Sequence, residues 1–277
     1  MIKQMKRDVN DTKKLFRKLG SCSRTFFYII NREFGHSEEA EERAADPLTG
    51  GILRQGYQCG MLWGASLGVG TEAFYRSGNI NQAIGLAVRT TQNIVESFSK
   101  KSKNIYCYEI TNCDWESKIS IAKHFLTGRF LSCFKLAEEW APEAIKAAKE
   151  GLSQQQTDLP QRPLSCASEV VKKMGGSDKE TAMVAGFAGG IGLSGNACGA
   201  LGAAVWKKTL DWCKKENGKD AFKYVNTEET FDKFYAETDD EIECNAITRK
   251  YFKTVDEHTE FIKCGGCKKL IDTLAQL

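Results

Sequence analysis

The longest stretches of this chain repeat apolar residues at intervals of three to four. Between Ile80 and Phe98 they are Ile84, Leu86, Ala87, Ile94 and Val95, and between Phe130 and Ala148 they are Phe134, Leu136, Ala137, Trp140 and Ile145. Shorter apolar runs begin at Phe26 and at Val170. Asn79 and Ser177 stand where a side-chain oxygen would cap a helix N-terminus. No two alternating runs are joined by the turn residues of a hairpin. The pattern predicts an all-α fold.

Two segments interrupt it. Residues 151–158, continuing to Pro160 and Pro163, are polar and turn-rich, as expected of a linker. From Met183 to Trp206 there are 24 residues without a charge, long enough to raise a membrane span. Seven of them are glycine, which weakens both helix and apolar character. A helix end, a loop and the start of a buried helix are expected there, with no membrane insertion.

Laid against itself, the chain repeats. Gly50-Gly51-Ile52, Gly56, Cys59-Gly60 and Leu62 match Gly189-Gly190-Ile191, Gly195, Cys198-Gly199 and Leu201 without a gap. Further out, Cys107 with Ile110-Thr111 matches Cys244 with Ile247-Thr248, and Cys133 with Leu136 matches Cys267 with Leu270. Cys22 and Cys166 each open an apolar run. The intervals between successive cysteines are 37, 48 and 26 residues in the first half and 32, 46 and 23 in the second. His124 and His258 each lie nine residues before the last of these cysteines. Two tandem helical-bundle repeats are expected, 1–155 and 156–277, related by an approximate pseudo-two-fold axis.

Charge adds little. The 277 residues carry 39 Lys and Arg against 36 Asp and Glu, a net +3 that gives no reason to expect nucleic acid. The one basic cluster (Lys3, Lys6, Arg7, Lys13, Lys14, Arg17 and Lys18, beside Leu15 and Leu19) reads as a solvated amphipathic helix. The first residues lack the apolar core of a signal peptide, so a cytoplasmic location is expected.

Eleven cysteines change the picture. In a reducing cytosol they point to metal ligation or redox chemistry rather than to a structural disulfide framework. Cys59 and Cys198 follow glycine-rich backbone and precede small apolar residues, which places each thiol at the start of a buried helix. The helix dipole would favour thiolate there, so these two are expected to lead their sites. Four cysteines per half, Cys22, Cys59, Cys107 and Cys133, then Cys166, Cys198, Cys244 and Cys267, could hold an iron–sulfur cluster or zinc. They could equally work as dithiol–disulfide pairs without a cofactor. His124, His258 and Cys264 are further candidate ligands. Cys264-Gly265-Gly266-Cys267 is a C-x-x-C found only in the second half. Cys113 and Cys213 have no counterparts and read as ordinary thiols. His36, beside Glu38 and Glu39, reads as solvent-exposed. No Walker loop, dinucleotide fingerprint or H-E-x-x-H is present.

Taken together these residues resemble the C_GCAxxG_C_C family of redox-active proteins, once in each half. The resemblance implies that Cys166, Cys198, Cys244 and Cys267, and by the repeat Cys22, Cys59, Cys107 and Cys133, are the family cysteines. The central G-C-A-x-x-G departs in both copies. Ala197 and Gly199 flank Cys198 in swapped order, with Gly202 as the last glycine. Gln58 and Gly60 flank Cys59, and Trp63 stands where the last glycine belongs, which is expected to narrow the first site. The implied function is electron carriage through iron–sulfur centres or dithiol pairs, with a redox partner the sequence leaves unnamed, as it leaves the oligomeric state. A metal sensor without turnover and a thiol-nucleophile enzyme are the alternatives.

Overall fold

Local signals set most helix ends. Asn79 accepts the Gln82 N–H at 3.0 Å, and Ser177 and Glu180 form a reciprocal capping box, as their sequence positions predict. In the computed structural model, residues 11–154, 159–216 and 221–277 are described. The linker residues 155–158 and the basic residues Lys3, Lys6 and Arg7 lie outside them. The fold is all-helical, with fifteen α-helices and no strand among the described residues.

The first half contributes α1 (Thr12–Leu19), α2 (Cys22–Phe34), α3 (Glu39–Arg43), α4 (Gly60–Arg76), α5 (Ile80–Ser102), α6 (Cys107–Thr111), α7 (Lys118–Leu126) and α8 (Phe130–Ser153). The second contributes α9 (Cys166–Lys173), α10 (Asp178–Met183), α11 (Gly199–Lys215), α12 (Thr227–Tyr235), α13 (Cys244–Thr248), α14 (Val255–Lys263) and α15 (Lys268–Leu274). By their cysteines, α2, α4 and α6 correspond to α9, α11 and α13. The charge-free stretch resolves as expected into the end of α10, a loop and the start of α11. No described helix is long and apolar enough to cross a membrane.

The matched glycine motif builds the same unusual turn twice. Gly50 to Arg54 and Gly189 to Leu193 are each five consecutive residues with positive φ, a turn of left-handed helix. L-residues pay about 1–2 kcal/mol each for that conformation, and Ile52 and Ile191, being β-branched, resist it most. Both isoleucines are fully buried, and that burial helps to offset the strain. At Gly51 and Gly190 a side chain would also meet the main chain of Tyr57 or Asn196 at 2.2–2.4 Å.

Helix packing then brings the first two cysteines together. Gly60, Gly64 and Gly68 form one ridge of α4, and α2 lies against it. A Cβ on Gly64 would sit 1.9 Å from the Ser23 carbonyl oxygen, and one on Gly68 2.6 Å from Ile30 Cβ. The corresponding residues of α11 are Ala203 and Lys207, so the second half cannot use the same close ridge. Lys207 is instead buried against Glu180 at 3.3 Å.

The two repeats share one hydrophobic core. α4 packs on α10, and its counterpart α11 packs on α3. Lys179 pairs with Glu38 at 2.7 Å across this contact, and Trp206 donates to the Glu41 carbonyl at 3.2 Å. Trp63 does not line the first site, contrary to expectation. Its ring lies edge-on to Phe187 and against Gly202, where a Cβ would approach it to 2.5 Å. A bulky residue replaces a glycine on one side because a glycine remains on the other.

Candidate redox site

Main-chain pairing fixes the second and third cysteines of each half. The Cys59 N–H donates to the Ile105 carbonyl and the Cys107 N–H to the Tyr57 carbonyl, both at 2.7 Å. Cys198 and Cys244 repeat this with Ile242 and Asn196 at 2.9 and 2.8 Å. Each half thus carries one isolated antiparallel bridge, Gln58 with Tyr106 and Ala197 with Glu243. Cysteines separated by more than 40 residues are thereby held side by side.

All four cysteines of each half line a single cavity. Cys22, Cys59, Cys107 and Cys133 face one of about 490 Å³, together with His124 and Trp115. Cys166, Cys198, Cys244 and Cys267 face one of about 10 Å³, together with His258 and Phe252. Cys264 is exposed and Cys113 and Cys213 are buried. His36 is not free in solvent as expected. It is half-buried, bonded to Glu72 at 2.6 Å and stacked on Tyr75.

The sulfurs of a half share a wall without converging on one point. Among the described residues no three His, Cys, Asp or Glu side chains gather to hold a metal ion. The second cavity is much the smaller of the two, about 10 Å³.

What the first half does assemble is a dithiol. The Cys22 thiol is brought down to about 7, first by the facing Cys59 thiol, against the opposing effect of burial, then by Thr49 and the backbone at Gly50 and Ser23. Thr49 Oγ1 lies 3.5 Å from its sulfur. Cys22 is also the first residue of α2, where the helix dipole favours an anion. Cys59 goes the other way, held well above the usual thiol value by its bond to Cys22 and by burial. The two thiols are hydrogen-bonded to each other, which lowers the pKa of Cys22 and raises that of Cys59. The Cys59 thiol is thus the partner of Cys22 within one pair. It caps α4 as foreseen, but the donors of three separate segments converge on its neighbour. Gly60 makes the approach possible, since a Cβ there would lie 2.5 Å from the Cys22 sulfur.

The other site thiols are all raised. Burial first, then the neighbouring cysteines, raises Cys107, and burial raises Cys133 to about 12. In the second half burial raises Cys166 and, most strongly, Cys198 and Cys244, and it carries Cys267 to about 12. There Ala188 replaces Thr49, so no hydroxyl reaches Cys166. Cys267 sits in the left-handed region at φ 56°.

The histidines also diverge. His258 donates from Nδ1 to the Leu164 carbonyl at 3.1 Å, and burial lowers its pKa to about 4. Burial, then Arg129, lowers His124 too. A hydrogen bond from the His124 ring to the Thr111 main chain opposes this. Ala188 and Phe252 stand where Thr49 and Trp115 do in the other half, so matching identities in the repeat could not single these two out.

One family model, described as "Putative redox-active protein (C_GCAxxG_C_C)", matches residues 21–146 and again 164–277. No curated protein and no solved structure matches the chain.

Proposed function

The chain belongs to the C_GCAxxG_C_C family in two tandem copies, and from that premise we propose that it is a dithiol–disulfide redox protein working through Cys22 and Cys59. The observation that carries this reading is the Cys22 thiol held at about 7 beside a neutral Cys59. At neutral pH such a sulfur is substantially thiolate, the reactive form, and remains a good nucleophile. Cys22 attacks a disulfide or another two-electron acceptor. Cys59 then attacks the Cys22 sulfur, its proton leaves with the acceptor, and the Cys22–Cys59 bond forms as two electrons depart. A cytoplasmic thiol pool would return the pair to the reduced state.

Titration against glutathione redox couples, with alkylation and peptide mass spectrometry, tests this. A Cys22–Cys59 disulfide that forms and breaks reversibly, and that Cys59→Ser abolishes, is the expected result. Absence of that disulfide overturns the reading. So would stoichiometric iron with sulfide, or zinc, in anaerobically purified protein whose four first-half cysteines resist alkylation.

We further propose that the repeats form domains 1–155 and 156–277 about a pseudo-two-fold axis. In a two-fold arrangement, residues near the axis touch their own equivalents. Tyr106 donates to Glu243, its equivalent before the third cysteine, and Gln58 donates to the carbonyl of its equivalent Ala197 at 3.2 Å. Trp63 and Gly202 are a third such pair. An experimental structure in which residues 22–135 and 166–269 superpose by a rotation far from 180° would end this idea.

A further inference from the structure

The register of the two histidines supplies an internal control for the surface over the first cavity. Counted from His124 and His258, α7 corresponds to α14, and the two helices differ on both faces. The inner face of α14 is clamped to the segment before Cys166. The Leu164 N–H donates to Thr259 Oγ1 at 3.1 Å, and the Leu164 carbonyl accepts from His258. In the first half Gly20 stands for Leu164 and Phe125 for the buried Thr259, and Phe125 is 53% exposed. Ile121, His124 and Phe125 of α7 line the cavity that holds Cys22 and Cys59.

The outer faces differ more. On and just before α14 the outward positions are Lys253, Asp256 and Glu260, all exposed. Their equivalents on α7 are Ile119, Ala122 and Leu126. These are exposed too, Ile119 by 83% and Leu126 by 87%. Their spacing makes one helical stripe, and with Lys118, Lys123 and Thr127 they line one surface depression. Residues 117–137 contain no Asp or Glu, while Lys118, Lys123, Arg129 and Lys135 lie among them. The matching residues 251–271 set Asp256, Glu257 and Glu260 against four lysines.

Three kinds of occupant can cover such a stripe, and its chemistry separates them. A second copy would bring the same uncompensated cations against themselves. Protein interfaces are depleted in lysine and rest on aromatic anchors seated in pockets, whereas here two aliphatic side chains protrude between lysines. An anionic lipid surface matches both features. Branched aliphatic side chains enter the acyl boundary, and long lysine stems carry their ammonium groups to the headgroup phosphates.

We propose that α7 docks this protein on an anionic membrane surface, with Ile119 and Leu126 entering the lipid and Lys118 and Lys123 meeting the headgroup phosphates. The helix lies on the membrane and does not span it. Docking of this kind sets one wall of the Cys22 and Cys59 cavity at the lipid boundary, and it is independent of the dithiol chemistry.

Flotation of the full-length protein with vesicles of phosphatidylcholine and phosphatidylglycerol in equal parts, against phosphatidylcholine alone, tests this. Binding to the mixed vesicles is expected. It should be at least about fivefold weaker on phosphatidylcholine and should fall with salt, since each cation near an anionic surface contributes roughly that factor. Ile119→Asp combined with Leu126→Asp should weaken binding about tenfold or more. Lys118→Glu with Lys123→Glu should act similarly. All four side chains are exposed, so circular dichroism and the thermal midpoint should not change. Ile119→Trp should keep binding and add a blue-shifted emission on the mixed vesicles. No binding, an unshifted emission from bound Ile119→Trp, or binding that the Ile119 and Leu126 replacements leave intact overturns the proposal. The last result would move the contact to another basic surface, such as that of Lys13, Lys14, Arg17 and Lys18. A concentration-dependent dimer that the same replacements dissolve also overturns it, in favour of a second copy. The Cys22–Cys59 titration is run without vesicles, so failure of either reading leaves the other standing.

Discussion

The two halves of this chain carry the same cysteines on the same helix starts, yet only in one is a site thiol's pKa lowered. In the first half α2 rides on a glycine ridge of α4 and Thr49 reaches Cys22. In the second, Ala203 and Lys207 replace the ridge and Ala188 replaces the hydroxyl, and every site thiol is raised by burial. The cavities differ in parallel, about 490 Å³ against about 10 Å³. A cysteine at a helix N-terminus is thus not enough to make a thiolate. The dipole acts in both halves, but desolvation of a buried thiol outweighs it unless several hydrogen bonds converge on the same sulfur.

The largest expected effect comes from the ridge. Gly64→Ala puts a methyl group 1.9 Å from the Ser23 carbonyl oxygen. Chemical denaturation should show a loss of about 3 kcal/mol, the upper end for overpacking, together with slower Cys22–Cys59 disulfide formation. A neutral result would mean that the ridge is not what distinguishes the halves.

Next is the pH dependence of thiol reactivity. A thiol lowered to about 7 is protonated below that pH and ionised above it. Alkylation of Cys22 should therefore rise through pH 7 and level off near pH 8, whereas Cys166 keeps rising to pH 9 and beyond. At pH 7 Cys22 should react at least about tenfold faster than Cys166, since an unperturbed thiol is only a few per cent ionised there. Equal rates and parallel profiles would erase the distinction.

Smaller effects sharpen it. Thr49→Ala should move the Cys22 alkylation midpoint upward by roughly 0.7 of a pH unit, the equivalent of one hydrogen bond of about 1 kcal/mol. Ala188→Thr should move Cys166 downward if the hydroxyl is the missing part, and a rise in its midpoint would contradict that. Smallest is Thr259→Val, which removes half of the second-half clamp. A loss of about 1 kcal/mol in denaturation is expected, with faster hydrogen exchange at Leu164. Unchanged exchange there would show that the clamp does not hold the second cavity closed.

The sequence by itself determined the helices, their caps and the repeat, because these are written in neighbouring residues. Asn79 and Ser177 cap where their spacing says, and Ile80–Ser102 and Phe130–Ser153 follow the three-to-four period. It also named the eight cysteines that line the two cavities. Tertiary structure decided what those cysteines are. The lowering of Cys22 depends on Cys59 first, then on Thr49 and Gly50, contacts made by segments more than 20 residues away in sequence. Trp63 faces the other repeat because Gly202 leaves room for its ring, and Gly20 and Phe125 do not reproduce the clamp that Leu164 and Thr259 make. Periodicity records which side of a helix is buried, but a thiol's charge is set by the few atoms around it, and only the packed chain brings those atoms together.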